Sequence, residues 1–226
     1  IQSSGFLKSE SLMDFYTTVH IGVYSKRNED VLAQFKLPLS ANASKVFPYT
    51  DYIHGIALLQ TGDTTALKCF RRFVTNYKGE NHLKSAFQKI AWCYILKGDT
   101  AAYFDYMGKV ELLGASLIDA DKQAMKEAEA GKLPNVNLLR TRLLFDGGYY
   151  NKALRELDGV SDLQIKDAEL QTEILYRYAR IYHEQSKLDS ALSFYQQSIT
   201  TGKALPRYFA ANAALESGRI YEERGN

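Results

Sequence analysis

The chain has few of the residues that break or staple a fold. Four prolines among 226 residues leave most of the sequence free of helix breakers, and the fifteen glycines fall mainly between apolar-periodic stretches. Strictly alternating β-branched runs are scarce, which argues against a large sheet. The only cysteines, Cys69 and Cys93, are too few for a disulfide framework, and two free buried thiols are expected rather than one bridge. That scarcity leans toward a reducing compartment without fixing one. No apolar run approaches the roughly 18 residues a bilayer span requires, the richest being Ile90 to Leu96. Charge of one sign is missing too: 28 basic and 26 acidic residues leave a formal +2. This balance gives no general attraction to nucleic acid or an anionic membrane. The densest basic group, Lys68, Arg71 and Arg72, reads as the solvated face of one helix. Ile1-Gln2-Ser3-Ser4 has neither an initiator Met nor an apolar leader core, so a processed or truncated piece is expected, cytoplasmic or periplasmic.

What is abundant is a recurrence. Ala179-Arg180-Ile181-Tyr182 returns as Gly218-Arg219-Ile220-Tyr221, inside the same pattern of small and aromatic residues. Taking the small residue as an anchor, five units align: Gly55, Leu58, Gly62, Ala66; Ala91, Tyr94, Gly98, Ala102; Thr141, Leu144, Gly148, Ala153; Ala179, Tyr182, Ser186, Ala191; and Gly218, Tyr221, Gly225. The anchors at 55, 91, 141, 179 and 218 are separated by 36, 50, 38 and 39 residues. The anchor and the later alanine are small because two helices of a hairpin cross there at close range. The glycine or serine ends the first helix in a left-handed conformation. Asp63, Asp99 and Asp189 are placed to cap or open the second helix, and Phe70, Phe73, Leu157 and Tyr195 to pack between hairpins.

On these residues the chain resembles the tetratricopeptide repeat family over roughly residues 48–226. Tyr176, Ala179, Tyr182, Ala191, Tyr195 and Pro206 match the family signature well; Asn137, Thr141, Leu144, Gly148, Ala153 and Leu157 match it less closely. The first two units are one residue shorter between Gly and Ala, both with Gly-Asp-Thr, which implies a tighter turn. The resemblance implies an all-α fold: an α-α superhelix, or solenoid, of about four to five helix-turn-helix repeats. The long interval holds an insertion, read as an extra helix near 116–131 that starts at Asp119-Ala120-Asp121 and stops at Gly131 and Pro134. Its alternative is an extension of the preceding helix, kinked near Gly114. Residues 1–47 read as N-terminal helices, Ser11 to Ser25 and Glu29 to Leu37, forming a degenerate capping repeat. Leu39 to Pro48 follows as a connector, with a sequon at Asn42-Ala43-Ser44. Gly218 to Asn226 reads as a first helix without its partner, in a protein continuing beyond it.

Chemistry is hard to find. His20, His54, His82 and His183 never fall at two-ligand helical spacing, and Lys187 stands where a zinc helix begun by His183-Glu184 needs its second histidine. No phosphate loop or nucleophile elbow is present, and Glu127 and Glu129 are assigned to exposed helix faces. No enzyme activity, cofactor or metal is expected.

The residues above background come from stacking the units. Arg142, Arg180 and Arg219 follow their anchors by one residue, with Asp146, Glu184 and Glu223 four further on. Asn135, Asn212, Glu173, Tyr176 and His183 share that face. In tetratricopeptide stacks these positions commonly line the concave groove, so the resemblance implies a ladder of guanidinium forks for an unidentified protein or peptide segment. The competing reading pairs each Arg with the acid four residues on. Ile56 and Trp92 replace Arg in the first two units, Trp92 fitting a core position equally well, and Tyr49, Tyr52 and Tyr176 are expected to add an exposed aromatic surface; Tyr94, Tyr182, Tyr195 and Tyr221 are assigned to packing. The expected function is a non-enzymatic binding scaffold. A small-ligand sensor or carrier, or a structural spacer, are the alternatives.

Overall fold

Left-handed residues close the hairpins. Gly62 and Gly98 (both φ 85°), Gly148 (φ 83°) and Ser186 (φ 58°) all adopt positive φ, as the register requires. At each, the following amide reaches back to the carbonyl three residues past the anchor: Asp63 to Leu58 at 3.1 Å, Asp99 to Tyr94 at 3.0 Å, Tyr149 to Leu144 at 2.8 Å and Lys187 to Tyr182 at 2.9 Å. This six-to-one bond satisfies carbonyls that a helix end otherwise leaves open. The same closure occurs once more, where no glycine announces it. Lys26 sits at φ 57°, and Arg27 donates to Gly22 at 3.0 Å.

The structure, a computed structural model, describes residues 10–161, 167–206 and 208–225. Among them every regular element is a helix: α1 Leu12–Tyr24, α2 Asn28–Phe35, α3 Ser40–Val46, α4 Tyr49–Leu59, α5 Ala66–Asn76, α6 Leu83–Ile95, α7 Thr100–Leu112, α8 Asp119–Ala130, α9 Val136–Asp146, α10 Tyr150–Ser161, α11 Ala168–Glu184, α12 Leu188–Gly202 and α13 Tyr208–Glu223. The chain is all-α, and no described helix is long and apolar enough to cross a membrane. The stretch from Leu39 to Pro48 is not a bare connector. It holds α3, whose Ala43 is fully buried against α1 and α4.

Caps come from the expected residue type at several ends. Ser11 accepts from the Asp14 amide, Asp99 from Ala102, and Asp167 from Glu169 and Leu170. Asp63 accepts from Thr65 at 2.8 Å. Asp189 instead lies inside the first turn of α12 and pairs with Arg224.

Two compact units result, one built on residues up to Val136 with Asp146–Gly148, the other on Asn137–Phe145 and the chain from Tyr149. In the first, α1, α2, α3 and α4 share a core of Phe15, Val19, Val31, Ala43, Ile53 and Ala57. The α4–α5 crossing is tight: a Cβ on Gly55 would meet the Phe70 ring at 2.7 Å, so only glycine fits. Helices α5, α6 and α7 pack in sequence, with α8 against α6 and α7. The break between α7 and α8 is real, because Leu113 is extended and Gly114 (φ 80°) would set a Cβ 2.8 Å from Leu83. A kinked continuation of α7 is therefore ruled out. In the second unit, α9, α10 and α11 enclose Leu144, Ala153, Leu157, Val160 and Ile181, while α11, α12 and α13 enclose Tyr176, Ala179, Ala191, Tyr195 and Ala213. Gly218, the last anchor, has open space beside it.

Candidate functional site

Every predicted site residue except His183 occupies one of three register positions: six before the anchor, three before it, or one after it. Tyr49, Tyr52 and Ile56 take these on α4; Asn135 and Arg142 take two around α9; Glu173, Tyr176 and Arg180 take all three on α11; Asn212 and Arg219 take two on α13. Trp92 is the last of the set on α6, where Ser85 and Gln88 fill the other two. Residues so spaced share one helix face. In the two units this face meets different surroundings.

In the first unit the face is filled from within. Tyr52 is only 2% exposed, with its hydroxyl 2.8 Å from Ser85 Oγ. Tyr49 stacks on Tyr52 (centroids 5.2 Å), lies 4.5 Å from the His82 ring, and meets the Tyr24 hydroxyl at 2.9 Å. Burial raises both phenols well above the ordinary tyrosine range. The expectation of an exposed aromatic surface here is wrong, because α6 begins directly over these rings. Ile56 is half-buried against the core of α1 to α4.

Trp92 is also buried, and its partner is α8. Its indole Nε1 donates to Glu127 Oε1 at 2.7 Å, Gln88 Nε2 donates to Glu127 Oε2 at 2.7 Å, and the Tyr103 hydroxyl reaches Oε1 at 3.2 Å. Glu127 is thus no solvated carboxylate, contrary to expectation; it is the point at which α8 is tied to α6 and α7. A second acid completes the attachment. Asp121, fully buried, accepts from the His82 amide at 2.7 Å and the Ser85 amide at 2.9 Å. It therefore caps the start of α6 from another helix, where His82 is left-handed and supplies no side-chain cap. At the other end of α7, the buried Lys84 ammonium donates to the Val110 carbonyl at 2.6 Å and the Glu111 carbonyl at 3.2 Å, a cation at a helix C-terminus.

In the second unit the same face is more open. Arg142 and Arg219 are exposed and Asn212 half-exposed, while Asn135, exposed too, belongs to the first unit. Arg180 sets its guanidinium 4.6 Å from the Phe145 ring centre and 6.0 Å from that of Tyr176, and makes no ion pair with Glu184. Glu184 instead accepts from the Tyr150 hydroxyl at 3.0 Å. Arg219 pairs with Glu216 at 2.8 Å, one turn back, rather than with Glu223. Glu173 is claimed by Arg177 on its own helix. His183 Nδ1 lies 3.3 Å from the Tyr195 hydroxyl. Tyr176 is 7% exposed, packed by Tyr195 and Phe209, so it belongs to the core instead of the surface. One aromatic that does reach solvent is Tyr208, 60% exposed, and the register gave no warning of it. Burial of part of its ring raises its hydroxyl, Glu173 and Tyr176 add to that, and Arg177 and Arg142 oppose it. Tyr208 therefore stands among the charged groups of this face. Tyr221, assigned to packing, is 47% exposed.

Elsewhere, Arg72 pairs with the buried Asp51 and Arg71 bonds to the Tyr94 hydroxyl, so only part of that basic group is a free solvated face. Cys69 and Cys93 are free and buried; burial lifts their thiols to about 11 and about 12, which removes them as nucleophiles near neutral pH. Among the described residues no three His, Cys, Asp or Glu side chains are grouped to hold a metal. No protein-family model matches the chain, and no curated protein or solved structure matches it either.

Proposed function

We propose that the chain is a non-enzymatic protein-binding scaffold of the tetratricopeptide kind. Its helical hairpins stack as in an α-solenoid within each unit, and the register face of α9, α11 and α13 receives a helical segment of a partner. One observation carries the reading. The equivalent face of α6 holds an amphipathic helix, α8, gripped by its acids at Asp121 and Glu127. A face that takes an acidic helix once in the molecule has the geometry to take another. In the second unit Arg180 and Arg219 replace Trp92, which favours a partner carrying carboxylates at matching turns, because guanidinium donors bind them in a forked geometry.

The test uses synthetic acidic helices, beginning with a peptide of residues 117–131 and randomising its non-acidic positions. Peptides selected on the intact chain are then measured on a double variant, Arg142→Glu with Arg219→Glu. Both residues are exposed, so the fold should hold. Affinity should drop by about tenfold or more, roughly 1.4 kcal/mol. Unchanged affinity would remove this face from the binding function.

A further inference from the structure

A cleft of about 430 Å³ opens in the first unit, well away in chemistry from the face just described. That volume lies within the range of small-molecule sites, roughly 300–1,000 Å³. Four helices supply its walls: Phe35 from α2, Ser44 and Lys45 from α3, Asp51 and His54 from α4, and Arg72 from α5.

One wall is flat and aromatic. The His54 imidazole stacks on Phe35 with centroids 4.0 Å apart and planes 4° from parallel. His54 makes no hydrogen bond to any described residue, so its ring nitrogens are left to whatever enters. Burial holds its pKa down at about 4, which keeps the ring uncharged near neutrality. The lining also carries two cations. Arg72 uses Nε (2.7 Å to Oδ2) and Nη2 to grip the buried Asp51, which neutralises one charge of each sign. That bidentate bond occupies one edge of the guanidinium and leaves the Nη1 edge unused, on a side chain that is 50% exposed. Lys45 adds an exposed ammonium, so the lining carries one net positive charge. Ser44 and Asn76 contribute a hydroxyl and an amide with no partner among the described residues.

An aromatic shelf, a fixed guanidinium edge and a lysine thus line one cleft. We infer that this cleft binds a small organic anion, its carboxylate or phosphate held between Lys45 and the free edge of Arg72 and its flat body laid on the Phe35–His54 shelf. Asp51 has a positioning part: it locks the guanidinium plane, so that little side-chain entropy is lost when the anion arrives. The site is independent of the helix-binding face, since none of its residues belongs to that register.

The experiment follows the His54 ring carbon–proton signal of the intact chain by NMR during titration with benzoate, phenyl phosphate and inorganic phosphate. Either organic anion should shift the signal saturably, and the tighter of the two identifies the preferred head group. Inorganic phosphate should bind more weakly, because it has nothing to place on the shelf. Lys45→Glu reverses a charge at an exposed position, so the fold persists and the dissociation constant should rise about tenfold. Arg72→Lys keeps a charge beside Asp51 but loses the fork, and should weaken binding as well. The assignment is overturned if neither organic anion saturates, if inorganic phosphate binds as tightly as both, or if Lys45→Glu leaves the titration unchanged.

Discussion

Trp92 and Arg219 stand at the same register position, one residue past a small anchor, and have opposite fates. Trp92 is 3% exposed and bonded to a helix 35 residues away, whereas Arg219 is 57% exposed on its side chain and bonded within its own turn. The helical face is the same; what differs is whether the chain carries its own occupant. In the first unit α6 closes over Tyr52 and α8 over the face of α6, and the residues there are those of an interior: Tyr52, Ser85, Gln88 and Trp92. Among its described residues the second unit shows no helix in that place, and Arg142 and Arg219 remain at the surface. A repeat register thus fixes which residues are equivalent, while an inserted helix decides which of them are covered.

The sharpest way to break this comparison is to delete the occupant's anchor. Trp92→Ala leaves a cavity between α6 and α8 and strips Glu127 of one of its three donors. Large-to-small changes of this size cost about 3–5 kcal/mol, so denaturant midpoints should fall steeply. If the loss stays under about 1 kcal/mol, α8 is not held as described.

Asp121→Ala comes next, at about 3 kcal/mol, because two amides at the start of α6 lose a charged acceptor and the left-handed His82 loses its external cap. Hydrogen exchange should quicken in α8 and in the first turn of α6 while α11 to α13 keep their protection. Uniform loss of protection would mean that the two units do not open separately.

Acid should find the same unit. Burial lowers His54 to about 4, and His82 is lowered too, by burial against the opposing pull of Asp121. A group whose folded pKa lies below its unfolded value of about 6.5 stabilises the fold fully above that value. Its contribution is lost as pH falls from about 6.5 through about 4, because the unfolded chain takes the proton first. The limit for His54 is on the order of 3 kcal/mol. Both groups lie in the first unit, so α4 and α6 amides should lose protection first between pH 6.5 and 4, and His54→Phe should flatten the slope.

Much of the helical plan was legible because backbone conformation leaves a residue-level trace. Gly62, Gly98 and Gly148 marked their own left-handed turns, and Gly131 with Asp119 marked the ends of α8. Ser186 was placed by the register alone, whereas Lys26 adopts the same conformation outside the aligned units, so α1 and α2 showed only as a weak hairpin. Short α3 escaped notice because seven residues give a periodicity too little length to register. The site was legible as a face and not as a surface. Spacing identified Tyr52, Trp92 and Tyr176 as neighbours of a common face, but burial depends on what lies opposite. For Trp92 that is Glu127, and for Tyr176 it is Phe209; neither pairing follows from periodicity. Tyr208 was missed for the converse reason, since it precedes the aligned stretch yet ends exposed beside charges brought from α9 and α11.

The smallest expected effect is the most informative about function. Arg219→Ala removes an exposed pair with Glu216, and pairs of this kind contribute a few tenths of a kcal/mol, so the melting temperature should barely move. Arg180→Ala, at the equivalent position on α11, should cost more, about 0.5–1 kcal/mol, because its guanidinium lies over Phe145. The two variants separate packing from binding along one line of residues. On an acidic helix selected against the intact chain, Arg219→Ala should weaken affinity while leaving thermal unfolding in place, a split that a purely structural arginine does not produce. If Arg219→Ala lowers the melting temperature as much as Arg180→Ala does and leaves affinity alone, the arginine line supports the fold and the open face of the second unit must be reassigned.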